Sequence, residues 1–442
     1  MNEQIVEIRE IKGMYWAIAS ESFNTIFCYL TVFGSVFLLF LNELNVPEQR
    51  IGLLLSFFPF FGIIAPFLSS YVEYAGSKRV FLSCWLTRKI IVTFLLLLPL
   101  IINKFGYNVG IIYLTVIIMV FAFVRATAET AYYAWLKEFV PDQLRGKYIA
   151  LGSTFASTAG LLAIFFASYI IGKGSGIERY MLTIGIGCIA GFISVFLMSF
   201  VPGGKPAREK ELSFNIKKVL DPLKDKNFIN FLCGIGFGIF GLSLMVFLPI
   251  FAKEKLSFLP GHIVFLDNAT ILGFILTGFL WGHLGDRFGG RPVIITGLLI
   301  YCLVPLFWLF LPRGEIFLFQ IALALYFIAG STQVARTVGS YRIMYAGIIK
   351  NSETIYYTSI YYAWIGLAGG FAPLFAGYTL KILSDFHFQL SYITFDAYSI
   401  LFMINFLCQA GAIIFLRKVK SDKQFTTREL FFKLAQYIFE HQ

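Results

Sequence analysis

Ionisable side chains fall inside several long apolar stretches of this 442-residue chain, among them Glu21, Arg88, Lys89, Arg125, Glu129 and Arg336. Charged groups are costly within hydrocarbon and usually face a cavity or a partner, so these residues are functional candidates. Arg125 and Glu129 are four residues apart and would share one face of a helix. Such a set can bind a polar solute, carry a proton or form a static network of ion pairs.

Two interpretations of this set stay open at the level of sequence. Glu21 and Arg88 are possible partners of the Arg125–Glu129 pair, which would give a buried polar network in the first half of the chain. Counting from Gly110 places Arg125 in the inner half of a membrane core, where a static network or a gate is as good an interpretation as a substrate site. Arg336 lies nearer the end of its segment and could extend to the membrane surface.

The elements that hold these residues are predicted to be membrane helices. The chain is 58% hydrophobic and only 14% charged, whereas soluble domains are about 25% charged. Twelve apolar segments of roughly the length that spans a bilayer can be traced. They cover residues 16–41, 51–72, 80–102, 110–135, 149–172, 180–201, 228–252, 261–283, 292–312, 316–340, 355–380 and 392–416. We therefore predict an all-α membrane protein with about twelve transmembrane helices.

Charge divides the chain into two six-helix halves. Residues 202–227 are rich in Lys, Arg, Asp and Glu and cannot lie in hydrocarbon, so they are predicted to link a half at 1–201 to a half at 228–416. The remainder, 417–442, is predicted to be a cytoplasmic tail with a short amphipathic helix on the inner membrane surface. Its apolar side would carry Leu430, Phe431, Leu434 and Ile438, with Lys433 opposite.

The two halves are predicted to be copies of one another. Gly282-His-Leu-Gly-Asp286-Arg287-Phe-Gly289-Gly-Arg291 lies between two apolar segments, and a weaker copy runs from Ser69 to Arg79 in the first half. A second repeat matches Ala159–Tyr169 with Ala368–Tyr378, which share Ala, Gly, Phe and Tyr at equivalent positions. Internal repeats of this kind indicate a duplicated membrane protein.

The Gly-x-x-x-Asp-Arg-x-Gly-x-Arg loop resembles the signature of the major facilitator superfamily, in which it joins the second and third helices of each half. The resemblance covers nearly the whole chain. It implies two pseudo-symmetric halves related by an axis along the membrane normal. It also implies a gating loop made of Gly282, Asp286, Arg287, Gly289 and Arg291, with Glu73, Gly76 and Lys78 in the first copy. Because Glu73 replaces the expected Asp and Ser69 the expected Gly, the first copy should be the weaker latch.

The resemblance further implies a secondary active transporter that moves a small molecule by alternating access, coupled to protons or to another gradient. The substrate or proton pathway would use Glu21, Arg88, Arg125, Glu129, Arg336, Tyr361 and Trp364, with Glu21 or Glu129 as proton carrier. Tyr132 and Trp135, at a helix end, are expected in the aromatic belt at the membrane surface. The alternative is a non-transporting assembly factor or receptor on the same scaffold.

Enzymatic chemistry is not expected, because no set of nucleophile, base and orienting group can be assembled. The four histidines lack metal-ligand spacing, no phosphate-binding Gly-x-x-x-x-Gly-Lys motif occurs, and the six cysteines lie in apolar stretches. No cofactor or metal is therefore predicted.

The net charge of +11 is interpreted as membrane topology rather than nucleic-acid binding. Basic residues favour one side of the predicted membrane by roughly three to one, which predicts that both termini are cytoplasmic. We expect a multi-pass protein of the inner membrane, surrounded by lipid and monomeric, with a small molecule and possible protons as its partners.

Overall fold

The computed structural model describes all residues except 1, 142–143, 206–219, 312–316, 349–353, 391–392, 421–422, 424 and 431–442. Nearly all of the described chain is α-helical. It divides into two compact units. The N-terminal unit comprises Met1–Ser213 with Leu259–Phe265, and the C-terminal unit comprises Phe214–Phe258 with Leu266–Gln442. The basic residues predicted for the linker lie largely outside the described residues.

Nine helices are described before the linker. They are α1 (Asn2–Thr31), α2 (Ser35–Glu43), α3 (Glu48–Gly62), α4 (Ala65–Ala75), α5 (Ser77–Thr93), α6 (Leu98–Phe105), α7 (Tyr107–Phe139), α8 (Arg145–Lys173) and α9 (Glu178–Ser199). A single 3-10 turn, Phe94–Leu97, joins α5 to α6, so that these two helices follow one apolar segment.

After the linker, the described chain forms seven helices and one hairpin. The elements are α10 (Lys226–Leu244), α11 (Leu248–Glu254), α12 (Pro260–Phe288), α13 (Gly290–Phe310), α14 (Leu318–Arg342), α15 (Thr354–Ile382), β1 (Phe388–Leu390), β2 (Ile393–Phe395) and α16 (Ala397–Arg417). The strands pair antiparallel, with Phe388 opposite Phe395. They precede α16, whose first turn is capped by Asp396 through the backbone amide of Ser399.

Eleven helical segments in the described part of the chain are long and apolar enough to cross a membrane. The predicted segment at 51–72 is the exception, because the structure divides it into α3 and α4. Proline explains the division: Pro59 lies inside α3, and a proline occupies the first turn of α4. Proline lacks the amide hydrogen that an α-helix needs in its interior, so a new helix starts more easily than the old one continues.

The first helix of each half is also interrupted, which the uniform apolar pattern did not predict. Between α1 and α2 the backbone turns at Gly34, whose φ is 76°, a value that favours glycine. In the other half a 3-10 turn, Met245–Phe247, separates α10 from α11, and Pro249 lies in the first turn of α11. At such interruptions backbone N–H and C=O groups lose their partners within the helix. A membrane protein tolerates this where the segment is buried in protein or lines a cavity.

Packing within each unit follows the same plan. In the N-terminal unit α1 packs against α8 and α9, and α5 packs against α7. In the C-terminal unit α10 packs against α15 and α16, and α13 packs against α14 and α16. Glycines allow the close approaches: a side chain at Gly187 would collide with Leu30 and Thr31, and one at Gly234 with Leu416. The first and last helices of each unit therefore pack closely against each other.

Candidate functional site

A cavity of about 460 Å³ lies within the N-terminal unit. Its wall combines both acids predicted for the pathway with two of the predicted arginines and a set of aromatic rings. The lining residues are Glu21, Asn24, Thr25, Cys28, Tyr29, Phe33, Phe81, Trp85, Arg88, Arg125, Glu129, Tyr132 and Tyr133. They come from α1, α5, α7 and the turn after α1. The size is typical of a site for a small molecule.

Two neighbouring cations on α5 converge on a single neutral oxygen. The Arg88 guanidinium donates to Oδ1 of Asn24 at 2.7 Å, and the Lys89 ammonium donates to the same atom at 2.8 Å. Both side chains are buried, with relative exposures of 3% and 0%. Arg88 also contacts the Cys28 sulfur at 3.3 Å. The cations thus share one acceptor, although buried charges are normally each well paired.

Aromatic faces supply most of the remaining contacts of these cations. The Arg88 guanidinium carbon lies 4.4 Å from the Trp85 ring centre and 5.3 Å from that of Phe121. The Lys89 nitrogen lies 3.5 Å from the ring centre of Phe27. Cation–π contacts of this kind stabilise a desolvated cation by about 2 kcal/mol or more. These contacts offset part of the free-energy cost of burying the two cations, but they supply no counter-ion.

Glu21 reaches the cations only through Asn24. The amide nitrogen of Asn24 donates to a Glu21 carboxylate oxygen at 3.5 Å, while its oxygen faces Arg88 and Lys89. One amide therefore bridges an acid and two bases. Asn24 was not among the residues predicted from the sequence, although its position three residues after Glu21 on an apolar helix was an available signal.

Arg125 and Glu129 form the direct ion pair of the cavity. Nε of Arg125 lies 2.7 Å from Oε1 of Glu129, as the spacing of four residues allows. Their side chains are 27% and 48% exposed, much more than those of the cations on α5. Arg125 also stacks over Phe33, with its guanidinium carbon 5.3 Å from the ring centre. Glu21, Arg88, Arg125 and Glu129 therefore meet at one cavity, but only Arg125 and Glu129 are in direct ion-pair contact.

The aromatic end of the cavity is held by hydrogen bonds between helices. The indole of Trp85 donates to the Ser194 hydroxyl at 3.1 Å, which ties α5 to α9. Tyr132 and Tyr148 join their hydroxyls at 2.9 Å, which ties α7 to α8. These bonds fix the ring positions in the wall.

Trp135 does not belong to a membrane-surface belt. It is fully buried, and its indole donates to the carbonyl of Pro202 at 2.7 Å. The expectation from its place near a helix end was wrong, because the chain after α9 folds back and covers it. Glu138 accepts from the amide of Gly204 at 2.6 Å and holds the same segment.

A second cavity of about 220 Å³ lies within the C-terminal unit, and Arg336 is the charged residue in its wall. The Arg336 guanidinium carbon is 4.9 Å from the ring centre of Tyr301, and its Nη2 is buried with no hydrogen-bond partner. Arg336 therefore points inward and does not extend to the membrane surface as predicted. Gln333, Ser340 and Tyr361 contribute polar atoms to the same wall.

Tyr361 and Trp364 differ in their surroundings. Tyr361 lines the C-terminal cavity and stacks on Phe231, with ring centres 5.7 Å apart. Trp364 is outside that lining, and its indole donates to the carbonyl of Leu232 at 2.8 Å. This contact ties α15 to α10, and the cavity role of Trp364 stays a prediction.

In the second signature loop, Asp286 pairs with a residue at the end of α14. Nη1 of Arg342 lies 2.6 Å from the Asp286 carboxylate, and the side chains are 27% and 81% exposed. Lys423 donates to the Asp286 carbonyl at 2.6 Å. The loop itself turns at Gly289, whose φ is 89°, while Gly282 has open space around it. Arg287 lies with its guanidinium carbon 5.6 Å from the Phe288 ring centre.

Both copies of the loop use a basic residue to bind the end of the last helix in their unit. Lys78 donates to the carbonyls of Ser199 and Val201, at 2.9 and 2.6 Å. Arg291, at the equivalent position, donates to the carbonyl of Val419 at 3.1 Å. The first copy turns at Gly76, with φ 91°. Glu73 lies in α4, and its side chain is outside the described residues.

The start of the tail packs against protein and not against a membrane surface. Leu430 is completely buried with Trp281, Leu284 and Phe288, and Phe425 contacts the Phe288 ring at 5.3 Å. The prediction that Leu430 faces the membrane surface was therefore wrong, because Leu430 packs against other side chains of the protein. Phe431, Lys433, Leu434 and Ile438 lie outside the described residues.

Among the described residues, no group of three His, Cys, Asp or Glu side chains is arranged to hold a metal ion. The six cysteines are all unpaired thiols, and Cys188, Cys302 and Cys408 are buried.

Eleven membrane-length helices and two units with charged internal cavities define a multi-pass integral membrane protein. The model of the Major Facilitator Superfamily matches residues 22–266 and 228–439, and the chain belongs to that superfamily of membrane transporters. The predicted family and the all-α fold of two six-helix halves are thereby confirmed, and a non-enzymatic transporter is the class they define.

Solved structures with the same fold share little sequence with this chain. The nucleoside transporter NupG is 14% identical, with a TM-score of 0.67, over 93% of this chain and 100% of that one. A bacterial homologue of the human lysosomal transporter Spinster, inward-facing and unoccupied, is 12% identical, with a TM-score of 0.65, over 94% and 97%. A bacterial metal transporter is 11% identical, with a TM-score of 0.61, over 93% and 98%. A search of curated protein sequences finds no match.

Proposed function

We propose that this protein is a secondary active transporter that moves a small molecule by alternating access, driven by a proton gradient or by another solute gradient. Membership of the superfamily supports transport in general. The observation that carries the proposal is the charged cavity of the N-terminal unit, because ionisable groups inside membrane helices persist where they serve a polar pathway.

Within this proposal, Arg125 and Glu129 contact the moving solute or ion. Their ion pair is more exposed to the cavity than any other charged contact there, so a ligand can reach it. Glu21 or Glu129 carries the proton, because each lines the cavity and can exist in two charge states. Asp286 and Arg342 form a latch at the signature loop that opens and closes during the cycle.

We further propose a monomer in the inner membrane with both termini in the cytoplasm and no nucleic-acid partner. The bias of Lys and Arg towards one side of the predicted helices supports this orientation. Reporter fusions at the C-terminus test it: a reporter active only in the cytoplasm should be active, and activity of a reporter that requires export would contradict it.

Uptake into proteoliposomes tests the coupled transport. Purified protein is reconstituted, and a solute that raises its melting temperature is followed with and without an imposed pH gradient. We expect gradient-dependent accumulation, which falls at least about tenfold in Glu129→Gln and Arg125→Ala, because each variant removes half of a charge-assisted contact.

Glu178→Gln is the matched control, because Glu178 is an exposed acid at the start of α9 and does not line the cavity. It should transport at the rate of the unmodified protein. Uptake that matches protein-free liposomes for every stabilising solute would favour the receptor or assembly-factor alternative. Uptake that ignores the pH gradient in both directions would remove proton coupling while leaving transport in place.

A further inference from the structure

Two basic side chains of α5 are buried beside the N-terminal cavity and share one neutral acceptor. Lys89 and Arg88 are 0% and 3% exposed, and the oxygen they both reach belongs to the neutral amide of Asn24. A buried charge without a counter-ion is strongly destabilising unless something else compensates it. The cavity beside Arg88 gives an external anion access to this position.

At and beside the cavity there are three basic side chains and two acidic ones. Arg125 is matched by Glu129 in a direct ion pair. Glu21 faces the two cations of α5 through Asn24 and lies in no described ion pair with either of them. One carboxylate therefore stands against two bases. A bound monoanion would complete the balance.

The geometry around Arg88 selects the shape of that anion. The rings of Trp85, Phe27 and Phe121 lie 4.4, 5.3 and 5.3 Å from the guanidinium carbon and occupy its surroundings. Nε of Arg88 is buried and has no hydrogen-bond partner. A guanidinium binds a planar oxyanion along its edge, through parallel N–H···O bonds. Arg88 therefore has one donor that the described protein leaves without an acceptor.

The aromatic part of the wall, beside the polar part formed by Glu21, Arg125 and Glu129, suits an apolar, ring-containing body. Phe33, Phe81, Trp85 and Tyr29 line the same cavity, whose volume of about 460 Å³ accommodates a small organic molecule. Aromatic side chains bury a flat apolar surface through offset or edge-to-face contacts. The combination of a guanidinium with one unused donor and several rings favours an aromatic or similarly flat acid over an inorganic ion.

We propose that the N-terminal cavity binds a small organic anion, whose carboxylate or similar planar oxyanion is held by Arg88 while the aromatic wall encloses its apolar body. This inference names the substrate class of the transporter and rests on the proposed function. Lys89 adds positive charge behind Arg88 but lies outside the lining, so it acts on the ligand through the field and not by contact.

Thermal stabilisation of the purified full-length protein tests the inference without any transport step. Benzoate, phenylacetate and cinnamate are compared with their carboxamides, which keep size and ring but lack the charge, at equal ionic strength. We expect at least one carboxylate to raise the melting temperature in a saturable way, with its amide binding at least about tenfold more weakly.

Arginine variants locate the binding. Arg88→Gln should lose the preference for carboxylate over amide, whereas Arg88→Lys should keep part of it because the charge remains. Arg50→Gln, which removes an exposed arginine of α3 that lines neither cavity, should keep it fully. The melting temperature of each variant is first measured without a probe. If Arg88→Gln proves to be misfolded, the carboxylate preference of Arg88→Lys decides whether Arg88 binds the anion.

Three results would overturn the inference: equal stabilisation by acids and amides, stabilisation by none of the acids, or a carboxylate preference that survives in Arg88→Gln. If instead the proposed transport function is wrong, a carboxylate would still bind through Arg88 but would not cross the membrane in proteoliposomes. Transport of a neutral solute without carboxylate binding would instead uphold the function and reject this substrate class.

Discussion

Asn24 is the residue that holds the charged part of the N-terminal cavity together. Its oxygen accepts from Arg88 and Lys89, and its nitrogen donates to Glu21. Removing the amide in Asn24→Ala leaves two buried charged donors without that acceptor. An unsatisfied buried donor is destabilising by about 1–3 kcal/mol, and by more when charged. We therefore predict a clear fall in melting temperature in detergent for Asn24→Ala.

Asn24→Asp is the discriminating control, because aspartate keeps the acceptor for Arg88 and Lys89 and adds a negative charge, while it loses only the 3.5 Å donor contact to Glu21. It should melt at or above the temperature of the unmodified protein. Equal losses in Asn24→Ala and Asn24→Asp would show that the side-chain shape matters and that acceptance from the cations does not.

Asp286 offers a test of the latch at the signature loop. Its carboxylate is 2.6 Å from Arg342, but the acid is 81% exposed, and surface ion pairs contribute only about 0–1 kcal/mol to stability. Asp286→Asn keeps size and hydrogen bonding while removing the charge. We predict unchanged melting and membrane insertion, together with impaired transport measured at equal reconstituted amounts.

A charge reversal completes that test. Asp286→Arg combined with Arg342→Asp restores an ion pair with opposite polarity and should recover part of the transport that Asp286→Arg alone loses. Normal transport in Asp286→Asn would argue against the latch, and a large fall in its melting temperature would assign the pair to structure.

At this scale, spacing along the chain predicted some contacts and missed others. Arg125 and Glu129 pair as their separation of four residues indicates, because both lie on one helix. The role of Asn24 and the burial of Trp135 depend on other helices: α5 brings Lys89 to Asn24, and the chain after α9 brings Pro202 to Trp135. No local pattern on α1 or α7 contains that information.

Among the elements, the contact between α1 and α9 sets the position of the cation pair. A side-chain carbon at Gly191 on α9 would lie 2.7 Å from the Phe27 ring and 3.0 Å from Cδ of Lys89. Gly191→Ala should therefore displace Phe27 and the stem of Lys89. Overpacking of this kind is destabilising by about 1–3 kcal/mol. We predict a lower melting temperature and weaker binding in the cavity.

Gly185, on the same helix, supplies the control, because a side-chain carbon there would meet nothing within 4 Å. Gly185→Ala should be neutral or slightly stabilising, since alanine favours helix by up to about 1 kcal/mol over glycine. If the two alanine variants behave alike, the α1–α9 contact does not control the site.

Turn chemistry made the loop positions easier to predict than the helix interruptions. Gly76 and Gly289 both adopt positive φ, and Lys78 and Arg291 occupy equivalent places after them. The motif did not reveal that these basic residues bind the carbonyl end of the last helix in each unit. The breaks at Gly34 and before Pro249 were hidden for another reason, since the apolar pattern continues across them.

At the scale of the whole molecule, the prediction of the family and the fold rested on the internal duplication and on the apolar composition. The apolar segments and the repeated loop were sufficient for the family and for a fold of two six-helix halves, which the family match confirms. The three solved structures share only 11–14% identity with the chain, so they support the fold but do not identify the substrate. The substrate class is inferred from the chemistry of the N-terminal cavity.

Solute counterflow is the most direct measurement of the central claim that this protein is a carrier. Proteoliposomes are loaded with an unlabelled solute that stabilises the purified protein and are diluted into a trace of the labelled solute. A carrier that exposes one site alternately to each side exchanges the two and gives a transient accumulation of label above equilibrium. We predict this overshoot for the unmodified protein and its loss in Arg125→Ala. Simple equilibration without overshoot, or no uptake of a solute that demonstrably binds, would contradict the account.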